Sequence, residues 1–150
     1  MDNLLFKGYV YFYGLSAVIL GGLIYLLFYP ADIYLYHWLE IINLDKIIHL
    51  VRNYTLQAYP YMPEWIVFSL PNGLWAFAYA IIITYLWWSK ISPFKYFWLC
   101  SIFALGIGYE LLQYLEVIPG VFCYYDLFLC LAGVSLGMIM GVNYLNKEVN

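Results

Sequence analysis

The chain has 150 residues, 66% of them hydrophobic and only 10% charged, with a net charge of -3. Soluble domains run at about 45–50% apolar and about 25% charged, so an ordinary water-soluble fold is excluded, and the scattered charge argues against a nucleic-acid partner. What remains is an all-α membrane protein, and at about 20 residues per span the length allows roughly four transmembrane helices and no separate soluble domain.

Residues 8–29, GYVYFYGLSAVILGGLIYLLFY, form the first predicted span, with Lys7 before it and Pro30 after it. The run is long for a signal-peptide core and no small-x-small cleavage site follows, so it reads as a retained anchor. Residues 31–63 are the longest less-apolar segment. His37, within YLYHW, reads as an interfacial belt residue. At about 100° per residue, Asp45, Lys46, His49, Arg52 and Asn53 fall in an arc of about 120°. Leu44, Ile47, Ile48, Leu50 and Val51 take the other side, which predicts an outer amphipathic or interfacial helix over about 41–54.

The second span covers about 66–89, and SLPNG (69–73) interrupts its start. Either Asn72 caps a helix beginning near Gly73, or one longer helix from about 64 kinks at Pro71. A basic turn, KISPFK (90–95), leads to a third span over about 96–116 and a fourth over about 124–145. Cys100, Cys123 and Cys130 form no metal-finger spacing, and two helical turns between the last two leave them too far apart for a disulfide. The aromatic share of 23% suits heavy interfacial belts.

Lys7, Lys90, Lys95 and Lys147 lie at one set of span ends, against Lys46 and Arg52 at the other. This bias predicts that both termini face the cytoplasm. The less-apolar segment, the SLPNG break and the Pro119-Gly120 turn then gather on the outer side. So do the carboxylates flanking that turn. Glu110 and Gln113, three apart, share a helix face, and Asp126 opens the last span. Ionisable groups inside apolar spans are expensive to keep and mark functional sites by default. Gly133, Gly137 and Gly141 make a small-residue stripe that lets another helix approach closely, within the chain, in a homo-oligomer or in a partner.

DKIIH (45–49), then Glu110-x-x-Gln113, then Asp126 with Gly133 seven residues on and Gly137 beyond, resembles the VanZ-like family of small bacterial membrane proteins over about residues 38–141. That family is named after an accessory protein linked to resistance to the glycopeptide teicoplanin. The resemblance implies signature positions at Asp45, Lys46, His49, Glu110, Gln113 and Asp126 and a bacterial cytoplasmic-membrane location. The chain departs from the family pattern in having no Arg in PGVFCYY and Cys130 where Asn is frequent.

If the amphipathic helix closes over the carboxylates, Asp45, Lys46, His49, Arg52, Asn53, Asn72, Glu110, Gln113 and Asp126 form one outward-facing polar pocket. Three uses compete. The first is a purely structural ion-pair network that docks the outer helix. The second is a binding site for a membrane lipid headgroup or a lipid-linked envelope precursor, with Lys46, Arg52 and His49 holding phosphate. The third is a hydrolase or transferase acting on a lipid-linked substrate, with Glu110 or Asp126 as base and His49 as its partner. The sequence offers no HExxH or two-histidine helical pair, so neither a metal nor another cofactor is expected.

Overall fold

The computed structural model describes residues 2–28, 41 and 45–149. It is helical, with no strand among the described residues. Helix α1 runs Asp2–Phe28 and α2 runs Asp45–Ala58, followed by a 3-10 turn at Tyr59–Tyr61. Helices α3 (Glu64–Phe68), α4 (Leu70–Trp87), α5 (Phe94–Gly106), α6 (Gly108–Tyr114) and α7 (Tyr124–Val149) complete the order. Among the described residues three stretches are long and apolar enough to cross a membrane, Lys7–Phe28, Glu64–Trp87 and Tyr124–Lys147. The α5–α6 pair is a fourth if its two parts, bent by 45°, count as one span.

The second span takes the kinked form. It begins at Glu64, and the interruption falls at Ser69, whose φ of -99° and ψ of -38° keep the chain close to helical. Pro71 sits in the first turn of α4, where a missing N–H is harmless. Asn72 therefore does not cap the helix. Its Nδ2 donates back to the Phe68 carbonyl oxygen at 3.3 Å, satisfying an acceptor beside the break. The third span also differs from the sequence expectation. It is not one helix but two, broken at Ile107 with φ -125°. Gly106 and Gly108 flank the break, and paired weak helix formers are where a long helix bends.

Helix α4 is the axis of the bundle, packed on α7 most extensively and on α1 and α5 besides. The glycine stripe of α7 faces α4 within the same chain. A Cβ at Gly137 would lie 2.6 Å from the Phe77 carbonyl oxygen, and one at Gly141 2.9 Å from Thr84 Cβ. Gly133 meets the backbone of Gly73 in the same way. The close approach that small residues permit is thus used within the chain, between α7 and α4. Helix α1 crosses the other side of α4, with Gly14 against Ile82 and Gly21 against Trp75. Two apolar clusters fill the bundle, Ala80, Ile83, Ile102 and Val134 in one and Val10, Ile81 and Tyr85 in the other.

The two ends of the bundle differ in chemistry. At one, Tyr9 and Tyr13 stack on Tyr144, and Trp87 stacks on Trp98. Lys147 lies 5.9 Å from the Tyr144 ring and Lys95 5.6 Å from the Trp88 ring. The lysine-bearing span ends therefore share one end, as the charge pattern predicts. Between the ends, Phe12, Leu15, Phe97, Leu105, Phe128 and Leu136 are exposed. An apolar surface of this extent fits hydrocarbon rather than water.

Helix α2 runs on to Ala58 and docks against the far end of α1, where Thr55 Oγ1 donates to the Leu27 carbonyl oxygen at 2.7 Å. Its faces do not divide as the amphipathic pattern suggests. Leu50 and Val51 are exposed and Arg52 is buried, while Lys46 and Asn53 remain exposed. A two-sided pattern shows that the sides differ but not which one faces lipid. His37, Leu44 and the side chains of Asp45, Ile47, Ile48 and His49 lie outside the described residues.

Candidate functional site

The span break and the turn after it build the site. The end of α6 closes with a left-handed residue, Glu116 at φ 56°. Around it Glu116 N–H donates to Gln113 O at 3.0 Å and Val117 N–H to Leu112 O at 2.9 Å, a Schellman ending without its usual glycine. Gly120 follows at φ 143°, and a side chain there would run into the Gln113 carboxamide. The chain then turns into α7, and Cys123 N–H donates to Glu110 Oε2 at 3.4 Å. Glu110 is only 5% exposed, so this contact ties α6 to the start of α7 through a carboxylate taken out of water.

A cavity of about 430 Å³ opens beside Glu110. Three helical stripes line it. From α4 come Asn72, Trp75, Ala76 and Tyr79. From α5 and α6 come Ile102, Leu105, Gly106, Tyr109, Glu110 and Gln113, and from α7 Asp126 and Cys130, with Val121 from the turn. Spacings of three and four residues run through each stripe, and the α5 stripe continues onto α6 without changing face. The break at Ile107 therefore tilts Glu110 and Gln113 over the cavity rather than away from it.

Of the nine side chains proposed from the sequence, four meet here, namely Asn72, Glu110, Gln113 and Asp126. No described residue of α2 lines the cavity. Lys46 and Asn53 are exposed on α2, Arg52 is buried there, and the side chains of Asp45 and His49 lie outside the described residues. Among the described residues no lysine, arginine or histidine lines the cavity. The phosphate-holding role expected of Lys46 and Arg52 thus has no support in this cavity.

The donors and acceptors are unevenly supplied. Asp126 Oδ1 is buried and accepts no hydrogen bond among the described residues. Asn72 uses its Nδ2 on Phe68, which leaves its carbonyl oxygen as an acceptor. Tyr79 and Ser101 hydroxyls bond at 2.8 Å, and Ser101 donates onward to Trp98 O at 2.6 Å, so Tyr79 is the donor of the pair. Trp75 donates its indole N–H to Val18 O at 3.4 Å and meets Tyr25 edge-on at 5.9 Å. Both aromatic walls are held from behind. Trp75, Tyr79 and Tyr109 were not singled out from the sequence, because aromatics are everywhere in this chain, and Cys130 stood out there only as a departure from the family pattern. Their signal was the helical register they share with Asn72, Glu110 and Asp126.

Among the described residues no group of three His, Cys, Asp or Glu side chains is placed to hold a metal ion. No family model, curated protein or solved structure matches the chain.

Proposed function

We propose that this is a four-span protein of a bacterial cytoplasmic membrane, with both termini cytoplasmic and a pocket open toward the outer side. The pocket binds the polar headgroup of a membrane lipid or of a lipid-linked envelope precursor. The α5–α6 pair is the bent third span, and α2 is an interfacial helix at the outer end. The single observation behind this reading is the cavity that gathers Asn72, Glu110, Gln113 and Asp126 at the end opposite Lys7, Lys90, Lys95 and Lys147. Its size falls within the range of small-molecule sites, about 300–1,000 Å³. Apolar wall residues with a few convergent polar groups are what an amphiphile's head and first carbons require. The likeness to VanZ-like proteins rests on Asp45, Lys46, His49, Glu110, Gln113 and Asp126 and supports a role in the cell envelope, including glycopeptide susceptibility. A structural role for Glu110 stands beside it, because its carboxylate holds the Cys123 amide.

The test is retention of lipid by the purified chain. Native mass spectrometry of the wild type should show a copurified lipid that Asp126→Asn loses while keeping its unfolding temperature. A lipid-free wild type, or equal retention by both, would overturn the binding reading. Teicoplanin susceptibility of expressing cells, with and without Asp126→Asn, tests the link to resistance.

A further inference from the structure

We propose that the group recognised in this cavity is a cation of the organic ammonium type, an inference that rests on the reading of the cavity as a headgroup site. The charged groups facing the space are both anionic, the carboxylates of Glu110 and Asp126. The Asn72 carboxamide donates one N–H to Phe68 O and keeps its carbonyl oxygen as an acceptor, and the Gln113 carboxamide adds one acceptor and one donor group. Asp126 Oδ1 is buried with no donor supplied to it by any described residue, and the Glu110 contact to Cys123 N–H is long at 3.4 Å. Buried carboxylates are tolerable only when paired or hydrogen-bonded, and no basic side chain lines the cavity among the described residues. The complementary occupant brings N–H donors or positive charge. A phosphate or carboxylate entering here meets the like charge of Glu110 and Asp126 with no basic side chain among the described lining residues to offset it.

The walls agree with the polar inventory. Trp75, Tyr79 and Tyr109 flank the same space, and aromatic faces beside carboxylates are the surroundings in which alkylammonium groups bind. A metal ion is a poorer fit, since no cluster of three ligating side chains forms among the described residues. The ammonium can belong to a zwitterionic lipid, whose phosphate would sit outside the cavity, or to a free amine. The chemistry inside is the same.

The experiment uses the full chain in nanodiscs of phosphatidylglycerol alone, titrated calorimetrically with ethanolamine, choline and, as the anionic counterpart, glycerol phosphate. A second set of nanodiscs contains phosphatidylethanolamine, and lipid retention is read by native mass spectrometry. Saturable binding of choline or ethanolamine, weakened about tenfold or more by Asp126→Asn, is the expected result. Tyr109→Ala should weaken choline too, and because Tyr109 is exposed this variant tests the cavity without disturbing the fold. Saturable binding of the free amines identifies them as ligands. Selective retention of phosphatidylethanolamine, with no binding of free amines, identifies the lipid as the source. If glycerol phosphate or phosphatidylglycerol binds in an Asp126-dependent way and the amines do not, the cation inference falls and the headgroup reading stands. If nothing binds, both fall.

Discussion

Replacing Gly137 with alanine tests the seam on which the rest of the bundle is built. The new Cβ would lie 2.6 Å from Phe77 O, 2.8 Å from Ala80 Cβ and 2.9 Å from Ile81 N. Two of these three atoms are backbone, so no side chain can swing aside, and α4 and α7 must part by several tenths of an ångström. Overpacking of this kind typically costs about 1–3 kcal/mol, offset by the roughly 0.5–1 kcal/mol that alanine gains over glycine inside a helix. The expected net is a loss of about 1 kcal/mol, within a range of roughly 0–2.5 kcal/mol. Gly22 provides the control, because nothing lies within 4 Å of a Cβ there. Only the helical gain remains, so Gly22→Ala should stabilise by about 0.5–1 kcal/mol. Both can be read from unfolding in detergent micelles, followed by size-exclusion chromatography. Shifts of the same sign in the two variants would refute the close approach. If Gly137→Ala instead dissociates an oligomer while leaving the monomer's stability intact, the stripe works between chains and its internal packing is wrong.

Glu116 holds a left-handed conformation at φ 56° without being glycine, so Glu116→Gly should stabilise by about 1 kcal/mol. No gain in unfolding temperature would mean that the Schellman ending is misplaced. Tyr79→Phe removes the hydroxyl bonded to Ser101 at 2.8 Å. The expected loss is about 0.5–1.5 kcal/mol, and an unchanged transition would remove that bond from the account. Val121→Cys, in the exposed turn after α6, should react with a membrane-impermeant maleimide on intact cells, above the background of the native cysteines. Lys90→Cys should react only after permeabilisation; the reverse pattern would invert the topology.

The spans were legible in the sequence because a run of about 20 apolar residues has few other uses. The shared end of Lys7, Lys90, Lys95 and Lys147 and the choice of Glu110 and Asp126 as candidates followed from the scarcity of charge in such a chain. The break at Ile107 was not read, although Gly106 and Gly108 flank it. Single glycines are common in membrane spans, and only packing decides whether a pair of them yields. The placement of α2 was not legible for a different reason. Its periodicity is real, but Arg52 is buried while Leu50 and Val51 are exposed. In water the apolar side goes inward; at a membrane boundary the same pattern admits either orientation. Asn72 was read as either a helix cap or part of a kinked span, and the choice turned on Ser69, whose near-helical dihedrals no residue-by-residue preference announces.

The glycine seam divides the molecule into unequal halves. Helices α4 and α7 are locked backbone to backbone, whereas α5 meets them through side chains, with Ile102 as its only fully buried residue among those described. The cavity lies between the locked half and the yielding one. On the proposed headgroup reading, guests of different bulk are accommodated by displacing the α5–α6 wall alone, without disturbing the backbone-to-backbone seam.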